Sequence, residues 1–286
     1  MTSRETPSRG RNPPLIVGNG AGTGHRRGFG PFVTLVEYER PDGLVARWDS
    51  RRQRKHAAPG SAGGTWWAPQ ARGWWIGILF ALGSALFAIG AVPGYAGAVG
   101  ARNDSITFFI GSIFFTSAGF LQYLESVTTS GPSASGWGLV LAYRPRQIDW
   151  WASGIQLVGT VLFNISTANA IRANLSAQAA HHHIWRPDAL GSVCFLVASG
   201  MAWFEVCHGW AAWSPRDLSW WIVALNLTGS IAFGASAVAA YIVPSTGQLL
   251  NVELSNLGTF VGALCFLAGA MLLLPERTAA PAVPSP

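Results

Sequence analysis

Three carboxylates stand at matched places in the chain. Glu125, Glu205 and Glu276 each lie fourteen residues after a glycine, respectively Gly111, Gly191 and Gly262. Each closes a long apolar run, where an ionisable group is costly unless partnered and marks a place to look for function. Two readings fit. The three could form a pseudo-threefold cluster guarding a cation or proton path. Equally, each could be an interfacial carboxylate bonded to a Trp indole N–H or to Arg144, Arg146 or Arg216. Amides extend the first reading: Gln156, Asn164 and Asn226 fall inside apolar runs and could line a path for a small solute. Such amides also bond between helices, at about 0.6 kcal/mol each.

Other chemistry is scarce. The nucleophile elbow, the HExxH pair and the phosphate-binding loop are absent, and the stretch Gly18–Gly24 opens no helix. No catalytic residue and no cofactor is therefore expected. His181, His182 and His183 are consecutive, a spacing that rarely converges on one metal, and no Cys or carboxylate adjoins them, so no metal is expected. Cys194, Cys207 and Cys265 lack paired spacing and read as free thiols.

These residues sit in a chain of 286 residues that is 50% hydrophobic and 11% charged. A soluble domain has about 25% charged residues, so an ordinary cytosolic enzyme is excluded. Six apolar runs of membrane length follow residue 73, at approximately 74–96, 105–125, 149–171, 188–207, 218–243 and 254–274. The expected fold is an all-α polytopic membrane protein of six transmembrane helices. Residues 1–73 hold 12 Lys/Arg against 5 Asp/Glu, whereas the rest holds 7 against 8. Basic residues resist translocation, which places both termini in the cytoplasm and the protein in a bacterial inner membrane.

The runs repeat. The first, third and fifth open with a Trp pair, Trp74-Trp75, Trp150-Trp151 and Trp220-Trp221. Gly83, Gly159 and Gly229 follow, each with Ser or Thr next and Phe (Phe87, Phe163, Phe233) four residues on. Gly111, Gly191 and Gly262 in the even runs are likewise followed at four residues by Phe115, Phe195 and Phe266. The chain thus reads as three tandem helical hairpins, 74–125, 149–207 and 218–276. Trp pairs suit the membrane interface as anchors. The glycines remove bulk so that helices approach closely, and a Phe one turn on shares the glycine's face.

Ahead of the hairpins, residues 1–31 read as a disordered basic segment. A β-hairpin with a basic run is expected at 32–55, from Phe32–Glu39, the Pro41-Asp42-Gly43 turn and Leu44–Trp48. A linker fills 56–73, and 277–286 is a disordered tail. The partners expected are the bilayer, with anionic head groups meeting the basic arm, and a protein partner or a second copy. No nucleic acid is expected, since Arg51-Arg52-Gln53-Arg54-Lys55 has no reading module around it.

Gly83-Ser84-Ala85-Leu86-Phe87 and Phe108-Phe109-Ile110-Gly111-Ser112 resemble the YrhK-like family of small bacterial membrane hairpins. The segment Gln156–Asn164 is similar to larger bacterial proteins that string such hairpins together. The resemblance covers at most residues 74–276 and implies a membrane hairpin fold, with no reaction or catalytic residue attached. From sequence, the expected function is a structural, scaffold or assembly role. The alternative is a small-solute or ion transporter using Gln156, Asn164, Asn226 and the three glutamates.

Overall fold

A computed structural model describes residues 25–39, 45–56, 66–128, 142–172 and 175–276. A small sheet leads the chain: β1 (His25–Phe29), β2 (Phe32–Glu39) and β3 (Val45–Asp49), antiparallel in that order. β2 and β3 form the expected hairpin, its turn lying outside the described residues. β1 corrects the expectation of disorder through residue 31. His25-Arg26-Arg27-Gly28-Phe29 has little strand character of its own, and it is a strand because β2 offers it a ladder. The register slips between Arg27 and Gly28, where a side chain would run into the Phe32 carbonyl. Of the expected disorder, residues 1–24 lie outside the described residues, as do 277–286.

The basic run is a helix, α1 (Ser50–His56), continuous with β3. Residues 57–65 of the expected linker lie outside the described residues. Then come α2 (Arg72–Gly90), a short α3 (Tyr95–Val99), α4 (Ala101–Thr128), α5 (Ile148–Ala170), α6 (Ala177–Ala180), α7 (Arg186–Cys207), α8 (Leu218–Ala239) and α9 (Val252–Glu276). A π-helical turn, His181–Trp185, joins α6 to α7, so the three histidines are part of one helical run. The first apolar run was expected to stay helical to residue 96. It stops at Gly90 because Pro93 cannot continue a helix and Gly94 turns left-handed (φ 88°) before α3.

Among the described residues, five helical runs are long and apolar enough to cross a membrane: α2, α4, α6–α7, α8 and α9. α5 has 23 residues, enough in length, but it carries Asp149, Gln156, Asn164 and Asn169 and falls short in apolarity. α2, α4, α5, α7, α8 and α9 close into a ring, each packed on the next and α9 on α2. The ring is apolar outside as well as inside. Leu82, Ile113, Val158, Val193, Ile231 and Leu257 are all exposed on its outer face, as lipid contact requires.

The centre of the ring is built from the marked glycines and phenylalanines. A side chain at Gly83 would press on the Gly111 carbonyl and the Phe115 ring. Gly159 meets Gly191 and Phe195 in the same way, and Gly229 meets Gly262 and Phe266. Phe87, Phe163 and Phe233 form a triangle with ring centroids 6.2, 6.1 and 6.0 Å apart. Phe115, Phe195 and Phe266 form a second, at 6.2, 6.4 and 5.7 Å. Contacts at 5.2, 5.1 and 5.2 Å join the triangles corner to corner. All six rings are buried, so this aromatic prism closes the axis of the ring.

Candidate functional site: an acidic mouth held by a basic helix

The three repeated glutamates end α4, α7 and α9 at the end of the ring where the Trp pairs open α2, α5 and α8. α1 lies across that end. Asp49 Oδ1 accepts from the Arg52 amide at 3.0 Å, satisfying a backbone donor in the first turn of α1. Arg51, Arg54 and Lys55 stand at i, i+3 and i+4, which puts them on one helical face. That face turns inward.

Each cation meets one glutamate. The Arg51 guanidinium donates to Glu276 from Nε at 2.8 Å and from Nη2 at 3.1 Å. Arg54 donates to Glu205 from Nη1 at 2.9 Å and from Nη2 at 3.0 Å, and its Nη1 is also 3.0 Å from Asp149 Oδ2. Lys55 Nζ reaches Glu125 Oε2 at 3.2 Å. Ser50 donates to Glu205 at 2.9 Å and Ser219 to Glu276 at 2.8 Å. Asp149 and Ser219 both immediately precede a Trp pair. The glutamate side chains are 3%, 2% and 7% exposed for Glu125, Glu205 and Glu276. Two-toothed Arg–carboxylate pairs of this kind are short, directional and strong. Burial alone would lower the Arg54 guanidinium, but the charges of Glu205 and then Asp149 outweigh it and hold it well above the ordinary arginine value. Arg51 shifts the same way, burial being overcome by Glu276.

The sequence names Trp indoles or Arg144, Arg146 or Arg216 as partners for the glutamates, and the structure gives each glutamate a cation of the arm. Arg51, Arg54 and Lys55 are turned into the protein, whereas Arg52 is 53% exposed. The cause is electrostatic: carboxylates buried at helix ends need charged partners, and one short helix brings three of the right sign.

Beneath α1 lies a cavity of about 80 Å³, lined by Gln122, Gln156 and Asn226 with Phe80, Ile222 and Phe266. Glu125, Asp149 and Glu205 form its upper wall and Arg51, Arg54 and Lys55 its roof. Among the described residues, the side chains of Gln156 and Asn226, both half-buried, make no hydrogen bond. Of the residues expected on a polar path, the structure therefore gathers Gln156, Asn226, Glu125 and Glu205, with Glu276 reached through Arg51. Asn164 is elsewhere: its Nδ2 donates to Thr116 at 2.7 Å and its Oδ1 accepts from Ser112, which ties α5 to α4.

A second contact holds the sheet. His208, which follows α7 in the left-handed conformation (φ 51°), places Nε2 3.2 Å from Asp49 Oδ2 and Nδ1 3.0 Å from Thr34 Oγ1. The order hydroxyl, imidazole, carboxylate is that of a nucleophilic triad, but Thr34 is 0% exposed, so its hydroxyl meets no substrate. Burial alone would raise the Asp49 carboxyl. Hydrogen bonds from His208 and the Arg52 amide outweigh it and hold the group below its ordinary value of 3.8. Phe29 of β1 stacks on Phe204 at 4.3 Å. Between sheet and ring is a polar cavity of about 240 Å³ bordered by Arg27, Glu37, Arg52 and Asp217.

The Trp pairs surround this end. Within each pair the rings meet edge to face, at 5.0, 4.8 and 5.1 Å. The second indole of each donates to a proline carbonyl six residues earlier: Trp75 to Pro69, Trp151 to Pro145 and Trp221 to Pro215, at 2.9, 3.1 and 2.9 Å. Two residues before each proline is an exposed aromatic, Trp67, Tyr143 or Trp213, in edge contact with the first Trp of the pair. Extending the Trp-pair pattern upstream would have found these residues. Arg51, Arg54 and Lys55 carried a weaker signal, the three-cation helical face, and Asp149 only its place before the second Trp pair. Among the described residues no group of three or more His, Cys, Asp or Glu is placed to hold a metal, and His181 stacks on Trp185 at 4.8 Å. Neither a family model nor a curated protein nor a solved structure matches this chain.

Proposed function

We propose that the chain is a six-span membrane protein of three tandem hairpins with a structural or assembly role, and that α5 is the sixth span. The observation that carries a non-transporting role is the aromatic prism: six buried rings within 6.4 Å of their neighbours leave no passage along the axis. The hairpin reading is supported by the recurrence of the Gly–Gly crossings, the Phe triangles and the Trp–Pro bonds at one spacing. The YrhK-like resemblance belongs to the same proposal, because its Gly and Phe positions are those that make the crossings. Both termini face the cytoplasm in this reading, with the mouth and the Trp rim at that interface.

A second reading, ion or solute transport, draws on one observation: unpartnered amides, Gln156 and Asn226, face a cavity behind three carboxylates. Flux of protons, Na⁺, K⁺ and small amines into proteoliposomes separates the two. The structural reading expects rates equal to those of protein-free vesicles. Flux abolished by Glu205→Gln would replace it with transport.

A further inference from the structure

Each hairpin is entered through the same turn. The backbone N–H groups of Ala71, Gln147 and Asp217 donate to the carbonyls of Ala68, Arg144 and Ser214, at 2.9, 3.0 and 2.9 Å. A proline follows the accepting residue in every case, its fixed φ suiting the second place of such a turn. The three turns stand at the Trp rim, and they share a geometry but not a charge. Residues 68–71 hold no charged side chain, and in residues 214–217 Arg216 is balanced by Asp217. Residues 144–147 hold Arg144 and Arg146 and no carboxylate.

We infer that this middle turn binds the phosphate of an anionic phospholipid at the edge of the bilayer. Among the described residues, neither of its arginines meets a carboxylate. Asp149, close by in the chain, is turned to Arg54 at 3.0 Å, and Glu125, Glu205 and Glu276 are taken by the arm. Arg146 is exposed and Arg144 half-buried. A second observation is a hydrogen bond that two hairpins make and the middle one lacks. Trp74 Nε1 donates to the Trp66 carbonyl at 2.9 Å and Trp220 Nε1 to the Ala212 carbonyl at 2.7 Å, each eight residues earlier. Trp150 Nε1, at the same place in the repeat, is enclosed without a partner, and so are Arg144 Nε and Gln147 Oε1. Enclosed donors are ordinarily bonded, and two of them beside a pair of free guanidinium groups call for an anionic acceptor that the chain does not supply.

Position says which anion. Trp151 is exposed on the outer face, and further along α5 Val158, Val161 and Ile165 are exposed too, so the turn sits where an apolar wall ends. Tyr143, 72% exposed and in edge contact with Trp150, is an amphipathic ring of the kind that settles at head-group depth. An acyl chain lies along that wall while the guanidinium forks take the phosphate oxygens. The anionic-lipid contact that the sequence assigns to the arm falls instead to this turn. The inference rests on the membrane reading proposed above, with the mouth at one surface of the bilayer.

The test is native mass spectrometry of the full-length chain in neutral detergent, titrated with phosphatidylglycerol or with phosphatidylcholine. The first phosphatidylglycerol should bind about tenfold tighter or more, and Arg144→Gln with Arg146→Gln should abolish that preference. Arg216→Gln, the matched change in the third turn, should shift it by less than about twofold. Trp150→Phe, which removes the enclosed donor and no charge, should weaken phosphatidylglycerol by about threefold. Glycerol 3-phosphate, the same phosphate chemistry without acyl chains, should not compete. The inference is overturned if the two lipids bind alike, or if Arg216→Gln costs as much as the double variant, which would make the rim a diffuse basic surface. Competition by glycerol 3-phosphate would overturn it in favour of a soluble phosphate. Flotation with phosphatidylcholine vesicles separates the two levels: a chain that floats without preferring phosphatidylglycerol defeats this inference alone, and one that does not float defeats the membrane reading with it.

Discussion

The middle of the ring and its mouth solve opposite problems with the same repeat. In the middle, glycines let backbones touch and phenylalanines fill what the glycines vacate, so the packing is dry and every ring is held by several others. At the mouth, fourteen residues along the same helices, the repeated residue is a carboxylate that cannot be buried alone. It is satisfied from outside the ring, by a helix that is no part of the repeat. The middle is thus self-sufficient and the mouth depends on the arm. Loss of stability in the middle should be global, and loss at the mouth should be local.

The sharpest way to break this contrast is Phe115→Ala. Phe115 is fully buried and touches Phe80, Phe87, Phe195 and Phe266. Removing a buried aromatic costs about 3–5 kcal/mol through lost packing and the cavity left behind. The whole ring should melt earlier, and circular dichroism and Trp fluorescence should show one coincident shift. If the arm loosens and the ring keeps its melting temperature, the middle is not the structural centre.

Arg54→Gln should act differently. Leaving Glu205 and Asp149 unpaired would cost about 3–5 kcal/mol if they stayed buried. They need not stay so, since the arm can leave and let water reach them, and the cost is capped at the free energy that docks the arm. Hydrogen exchange should show protection lost over residues 45–56 with little change in α2, α4 and α9. Pairing the change with Glu205→Gln should recover part of that protection, because the orphan charge is gone. A uniform loss of protection across the ring would erase the distinction between mouth and middle.

How much of this was legible before any fold is itself uneven. The Gly, Phe, Trp and Glu positions repeat at fixed spacing, and spacing along a helix survives directly as geometry. Their partners at the mouth do not: Arg51 and Glu276 are 225 positions apart and Arg54 and Glu205 are 151 apart, and no local period encodes such a meeting. The arm was read as a surface for lipid because a run of positive charge beside a membrane ordinarily is one. For Arg51, Arg54 and Lys55, three buried carboxylates supply the partners instead. β1 was missed for a related reason, since its strand state comes from its neighbour β2. α5 was legible as a helix but, alone of the six, lacks a stretch apolar enough to count as a span, and the amides responsible are the ones that line the cavity and make the α4–α5 contact.

Acid offers a smaller perturbation of the arm alone. The Asp49 carboxyl is held below its ordinary 3.8, so its contribution to docking is complete above that pH and is lost as pH falls through the depressed folded value. Protection of residues 45–56 should therefore decline on acidification below 3.8 by a step that Asp49→Asn removes. The same variant should dock more weakly near neutrality. A step of unchanged size in Asp49→Asn would assign it to the mouth carboxylates.

The finest test compares two amides on one helix. Asn164 and Gln156 are eight residues apart on α5, and sequence alone treats them alike. Asn164 is bonded to Thr116 and Ser112, so Asn164→Leu should cost about 0.6 kcal/mol, the average for such bonds between membrane helices, and should weaken the α4–α5 contact. Gln156 faces the cavity without a partner among the described residues. Gln156→Leu removes an unbonded polar group from a confined space and should leave stability unchanged or slightly raised. Equilibrium unfolding in mixed detergent resolves the difference when both variants are measured together. If Gln156→Leu costs as much as Asn164→Leu, then Gln156 is packing, and the cavity loses one of its three amides as evidence for a site. If it does not, the same helix carries a structural amide toward its middle and an unbonded one at its mouth.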